Sequence, residues 1–470
     1  MRYLCCVLAL LHSFAGTAQP LAVGPASNQY EANWASLDKR EVPGWFEDAK
    51  FGVFIHWGLY SVPAWGPTDK SLRVGARYAE WYWNRLSLKS EETQGFRDHH
   101  LRFYGPGFKY PDFAPQFKAE YFKPTDWAAL LQQAGAKYVV LTTKHHEGFT
   151  LWPSQYSVNW NAVDVGPHQN IVDSLTRAVR GQGMKMGYYY SLYEWFHPLY
   201  KTNVPRYVAE HMLPQMKELV STYQPDLLWT DGEWEQSDTT WRSTEFLAWL
   251  YNESPVGKSI VVNDRWGKTT RGKHGGYYTT EYGKLSDVDA AGMEFSKPWE
   301  ECRGIGSSFG YNRAEKLEDY SSSEQLVHLL IEKVARGGNL LLNIGPTSDG
   351  LIPVVMEQRL REIGAWLGVN GEAIYGTRKW PQAARATTDK ALFMTRKGAD
   401  LYLISTVFPT KPITLELAGV PASVRMLGSG VALKSRWKNG KYTLQPPVLA
   451  YPDVPCQYAW VFKLEGALPQ

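Results

Sequence analysis

Six short segments of the chain end in groups that could do chemistry on a polar substrate. They are His56-Trp57-Gly58, Lys144-His145-His146-Glu147-Gly148-Phe149, Tyr190-Ser191, Trp229-Thr230-Asp231-Gly232-Glu233, Asn263-Asp264-Arg265-Trp266 and Thr280-Glu281-Tyr282. One such polar end is ordinarily a turn former or helix cap. Six of them, carrying His, Tyr, Asp, Arg and Glu beside Trp, are better explained by one shared cleft. Imidazoles and a guanidinium hold sugar hydroxyls well, and two carboxyl groups suffice to hydrolyse a glycosidic bond. Adjacent His145 and His146 invite a zinc reading, but neighbouring strand residues point to opposite faces, and neither HExxH nor CxxC spacing is present. No metal and no cofactor are therefore expected. No Cys has the local signature of a catalytic thiol.

The elements that must position these groups alternate from about residue 40 to 375. Strand candidates are 51–57, 137–143, 185–191, 226–232, 259–264 and 339–345, nearly continuous in apolar residues as doubly covered strands must be. Helix candidates fall between them: 124–136, with Thr125 as N-cap and a close near Gly135, then 170–183, 206–223, 243–254 and 323–338. Repeated strand–helix units predict a parallel sheet, either a (β/α) barrel or an open doubly wound sheet. In a barrel, catalytic groups gather at the C-terminal strand ends, which is where the polar clusters stand. No glycine-rich phosphate loop follows the first strand. Residues 95–120, rich in His, Phe and Pro, read as an inserted loop. After 372–378 the texture changes to short strand-like runs divided by Gly and Pro, which predicts a small antiparallel β-sandwich over 385–465.

A net charge of +3 is too small to imply nucleic acid or an anionic membrane as partner. The 20 Trp and 28 Tyr suit either an aromatic core or stacking on sugar faces. Residues 1–18 read as a cleavable signal peptide with cleavage after Ala18, and no later run approaches the ~20 apolar residues of a membrane span. An exported enzyme follows, periplasmic or extracellular, or lysosomal in a eukaryote. The single sequon, Asn252-Glu253-Ser254, tilts the reading towards a bacterial source. Cys302 and Cys456 are expected as free thiols rather than a bridge.

The stretches WFEDAKFGVFIHWGLYSVPAW, AEWY, KYVVLTTKHHEGFTLWPS, GYYYS, LLWTDGEW, VVNDRWG, WEECRGIGSSFGYNR and GGNLLLNIGPTSDG closely resemble the α-L-fucosidases of glycoside hydrolase family 29, in the branch of lysosomal and broad-specificity bacterial enzymes. The resemblance runs from about residue 45 to 378. It implies a (β/α)8-like TIM barrel over 19–380 followed by the sandwich, and hydrolysis of terminal α-L-fucosides on glycans with retention. It places the nucleophile at Asp231 and the fucose pocket at His56, Glu80, Trp81, His145, His146, Tyr190, Trp229 and Arg265. The proton donor falls on Glu281, with Glu300 as the alternative. A same-fold glycosidase for another sugar and a catalytically silent fucose-binding protein are the competing readings. Oligomeric state is left open, a homo-oligomer included.

Overall fold

The computed structural model describes residues 29–285, 288–291, 293–380, 391–417 and 419–468, so the expected signal peptide lies outside the described residues. Eight strands run parallel: β1 (Phe51–Ile55), β2 (Tyr138–Lys144), β3 (Lys185–Ser191), β4 (Leu227–Asp231), β5 (Val261–Val262), β6 (Tyr278–Glu281), β7 (Trp299–Gly304) and β8 (Asn339–Ile344). Their order across the sheet is β5-β4-β3-β2-β1-β8-β7-β6. The ring closes because Tyr277 N donates to Val262 O (3.1 Å) and Gly276 N to Asn263 O (3.2 Å), joining the entry of β6 to β5. This is a parallel barrel, as the resemblance implied.

Helices that cover it include α1 (Pro124–Gln133), α2 (Ile171–Gly181), α3 (Leu213–Tyr223), α4 (Ser243–Asn252), α5 (Ser323–Ala335) and α6 (Val354–Asn370). In α2, Ile171, Val172, Leu175 and Val179 are buried on one stripe, and Asn170 accepts from Asp173 N at the start. The N-cap of helix α1 stands two residues earlier than expected. Pro124 occupies its first turn, where a missing N–H costs nothing, and Lys123 rather than Thr125 is the N-cap. Among the described residues no helix joins β5 to β6, whose connection KTTRGKHGG has no apolar period, or β6 to β7, where a small hairpin stands instead. Only Val261–Val262 of the expected strand 259–264 is in the ladder. Asn263 and Asp264 turn away to bond Thr230 and Thr279 through their side chains. Nor is 95–120 simply a loop, since Gln94–Tyr104 is an α-helix.

Beyond the barrel, Arg378–Lys379, Leu392–Lys397, Asp400–Ser405, Trp460–Glu465 and Ser423–Met426 form one antiparallel sheet in that order. Ile413–Glu416, Lys441–Leu444 and Ser435–Lys438 form another. Met394, Leu403, Phe462, Leu415 and Leu444 pack between them in one apolar cluster, the layering of a sandwich. The sheet takes in Arg378 and Lys379, which stand ahead of the expected 385 boundary. Trp366 of α6 donates to Ala459 O (2.9 Å), tying the sandwich to the barrel. No described helix is long and apolar enough to cross a membrane.

Candidate active site

Side chains alternate along a strand, so one face of each barrel strand looks inward and the other meets the helices. On β1 the inward set is Phe54 and, just past the strand, His56; on β4 it is Trp229 and Asp231. These line a small pocket at the C-terminal end of the barrel. Tyr78, Glu80, Trp81, His145, His146, Tyr189, Trp234, Arg265, Glu281, Cys302 and Phe309 complete its wall.

Arg265 organises the floor. Its Nη1 donates to Asp231 Oδ1 (2.8 Å) and its Nη2 to Glu281 Oε2 (3.0 Å), while Nε donates to Thr279 Oγ1 (3.1 Å). The guanidinium lies 4.3 Å over the Trp229 ring, so the buried cation faces two carboxyl groups and a π face. Tyr189 Oη donates to Asp231 Oδ2 (2.9 Å), and Tyr78 Oη donates to Glu281 Oε1 (3.2 Å). Burial, with Asp231 beside it, holds the Tyr189 phenol well above its ordinary range, so it is a donor at every working pH. Glu281 ends β6 and enters a tight turn in which Tyr282 has φ 48°. Glu301 clamps that turn by accepting from Gly283 N (2.9 Å). Glu301 was not singled out in the sequence, because its neighbour Glu300 has the same side chain on the opposite face of β7.

The imidazoles are held in defined tautomers. Asn343 Nδ2 donates to Phe309 O (2.7 Å), which leaves Oδ1 to accept from His56 Nδ1–H (2.6 Å). Ser191 Oγ donates to Tyr193 O (2.5 Å) and therefore accepts from His146 Nδ1–H (2.6 Å). Each Nε2 then carries a lone pair, and that of His146 stands 3.8 Å from Asp231 Oδ2. Burial drives His56 down to about 3 and His146 well below its ordinary value, so both rings stay neutral and keep Nε2 as an acceptor. His145 Nδ1 faces Glu147 Oε2 at 3.3 Å. Glu80, raised by burial, is fixed through Oε2 by Ser308 Oγ and Gly310 N, each at 2.9 Å.

His56, Glu80, Trp81, His145, His146, Trp229, Asp231, Arg265 and Glu281 thus meet in one pocket. Tyr190 does not. Its ring faces the helices, where Oη donates to Gln215 Oε1 of α3 (2.8 Å), and Tyr189 takes the inward place one residue earlier. Glu300 is also outside the pocket. Fully buried beneath it, Glu300 accepts from Tyr138 Oη (2.5 Å), Trp229 Nε1 (3.0 Å) and Tyr277 Oη (3.1 Å). Burial raises this carboxyl to about 7. Cys302 is a buried free thiol 4.0 Å from Arg265 Nη2, and Cys456 is a free thiol near α6. Among the described residues no three His, Cys, Asp or Glu side chains converge on a metal-sized space.

A family model described as Alpha-L-fucosidase matches residues 17–372. The chain belongs to the α-L-fucosidase family. It is similar to the α-L-fucosidase of Branchiostoma floridae, at 45% identity over 456 residues, covering 94% of this chain and 96% of that protein. Human tissue α-L-fucosidase is 43% identical over 471 residues, covering 98% and 97%. Among solved structures, Thermotoga maritima α-fucosidase in complex with a mechanism based inhibitor aligns with a TM-score of 0.78 at 37% identity. The alignment covers 93% of this chain and all of that one. The chain is an enzyme of the glycoside hydrolase class.

Proposed function

We propose that the protein hydrolyses terminal α-L-fucosyl residues from glycans with retention, Asp231 acting as nucleophile and Glu281 as acid and base. The observation that carries this is the joint grip of Arg265 on the two carboxyl groups, Asp231 and Glu281, within one pocket. Bridging by one guanidinium favours the short carboxylate separation of retaining enzymes, about 5–5.5 Å, over the wider gap that admits a water. Asp231 would attack the anomeric carbon while Glu281 gives its proton to the leaving oxygen. Water, deprotonated by Glu281, would then release fucose from Asp231. Neutral His56 and His146 would accept sugar hydroxyls through Nε2, and Phe54, Trp229 and Phe309 offer an apolar wall to the C6 methyl. Arg265 also disperses charge as Asp231 alternates between anion and ester, a change it can follow without moving.

The tissue and plasma enzymes among the relatives suit the export read from residues 1–18. The activity is tested by following 4-nitrophenyl α-L-fucoside hydrolysis by NMR. Fucose should appear first as the α anomer; first-formed β-fucose would mean inversion, and turnover of a β-D-galactoside instead would mean another sugar.

A further inference from the structure

Most of the pocket wall is buried, and Tyr78, Trp81 and Glu281 are partly so. Among the described residues that line it, Trp234 alone is exposed, at 39%. It follows Asp231 by three residues on the loop after β4, and that loop is rigidly built. Gly232 holds φ 75°, and a Cβ there would come within 2.6 Å of Tyr193 Cβ. Glu233 is buried and its carbonyl accepts from Trp241 Nε1 (3.0 Å). The Trp234 ring lies nearly parallel to Trp81 (6.1 Å between centroids, 22°) and meets His146 edge-on at 5.5 Å. One side of this aromatic pair therefore walls the pocket while the outer ring carries the wall past its mouth.

A large apolar ring left half in water, yet fixed in place beside the reacting carboxylate, gains from a partner that covers it. With fucose seated against Asp231, the leaving group would lie towards the rim, which also carries the part-exposed Glu281. We infer that Trp234 is the platform for the leaving-group sugar, stacking on the C–H face of a pyranose to which the fucose is linked. The inference rests on the proposed fucosidase activity and narrows its substrate: fucose borne on another sugar is preferred to fucose borne on a hydroxyl side chain of a peptide.

Two substrates separate the platform from the fucose pocket. One is a disaccharide with L-fucose α-linked to a hexopyranose; the other is α-L-fucosyl fluoride, whose leaving group has no ring. Trp234→Ala should lower the ratio of kcat/KM for disaccharide over fluoride by about tenfold, and Trp234→Phe, which keeps a flat ring, should restore most of that ratio. The ratio is read within each variant, so a general loss of folded enzyme does not enter it. An unchanged ratio in Trp234→Ala, or an equally low ratio in Trp234→Phe, would overturn the platform while leaving the activity standing. No turnover of either substrate by the unsubstituted enzyme would overturn the activity, and the inference with it.

Discussion

Tyr189 Oη donates to Oδ2 of Asp231 at 2.9 Å, from the neighbouring strand of the barrel wall. Since Arg265 holds Oδ1, both carboxylate oxygens of Asp231 are oriented before substrate arrives. Preorganisation of this kind avoids a reorientation during reaction.

Tyr189→Phe should therefore lower kcat by about tenfold to a hundredfold, the scale of a lost hydrogen bond to a charged group. Tyr190→Phe should leave kcat within about twofold and lower Tm slightly, because its hydroxyl serves only Gln215 and the helix layer. Steady-state kinetics and thermal melts of the two variants check the assignment. A larger catalytic loss in Tyr190→Phe would reverse it.

The contrast between these tyrosines shows what was legible in the sequence. The strands of YYY and LLWTD were evident from their apolar runs, but which of three consecutive tyrosines faces inward depends on a register set by pairing with β4. Tyr189 pairs with Trp229, so the two share the interior. Strands β6 and β7 were missed because Tyr278–Glu281 and Trp299–Gly304 carry Thr, Glu and Cys in place of an apolar run. Glu300 stood as the alternative proton donor through the resemblance of WEECRGIG, and its structural place could not be read there because its donors, Tyr138, Trp229 and Tyr277, come from three other strands or their approaches.

Glu300 should make stability depend on pH. Its folded value of about 7 lies above its ordinary 4.5, so the folded protein binds the extra proton between the two. Its contribution is fully present below about 4.5 and is lost as pH rises through about 7, on the order of 3 kcal/mol in all. Glu300→Gln removes the titrating group. The difference in unfolding free energy, native minus variant, should fall steadily from pH 4.5 to 7.5 in denaturant titrations. A difference that is flat or rises with pH would contradict the burial argument.

Lys144 Nζ and Glu194 Oε2 form a buried pair at 2.8 Å, joined by Tyr207 Oη (3.1 Å) and His211 Nε2 (3.2 Å). Burial alone would raise Glu194, but Lys144 and His211 hold it below its usual range. The pair ties the end of β2, and so His145 and His146, to the segment after β3. Lys144→Met should strand the Glu194 charge and cost about 3–5 kcal/mol. Lys144→Met with Glu194→Leu should recover much of that loss, as judged by chemical denaturation. A double variant no more stable than the single one would mean that the pair is not the source of the effect.

Glu281→Ala should slow substrates with poor leaving groups far more than those releasing dinitrophenol, which needs little protonation. The fucosyl-enzyme should then accumulate, and azide, which needs no base, should restore turnover and give α-L-fucosyl azide. Glu300→Ala should show no such rescue. Recovery of the β azide from Glu281→Ala would identify Glu281 as the nucleophile instead.

The central claim is that Asp231 forms the covalent bond to fucose. Incubating the enzyme with 2-deoxy-2-fluoro-α-L-fucosyl fluoride, digesting it and mapping the modified peptide by mass spectrometry tests this most directly. A single fluorofucosyl adduct is expected on the peptide spanning Leu227–Glu233, located on Asp231, with activity lost in step with labelling. An adduct on Glu281, Glu233 or Glu300, with Asp231 unmodified, would contradict it.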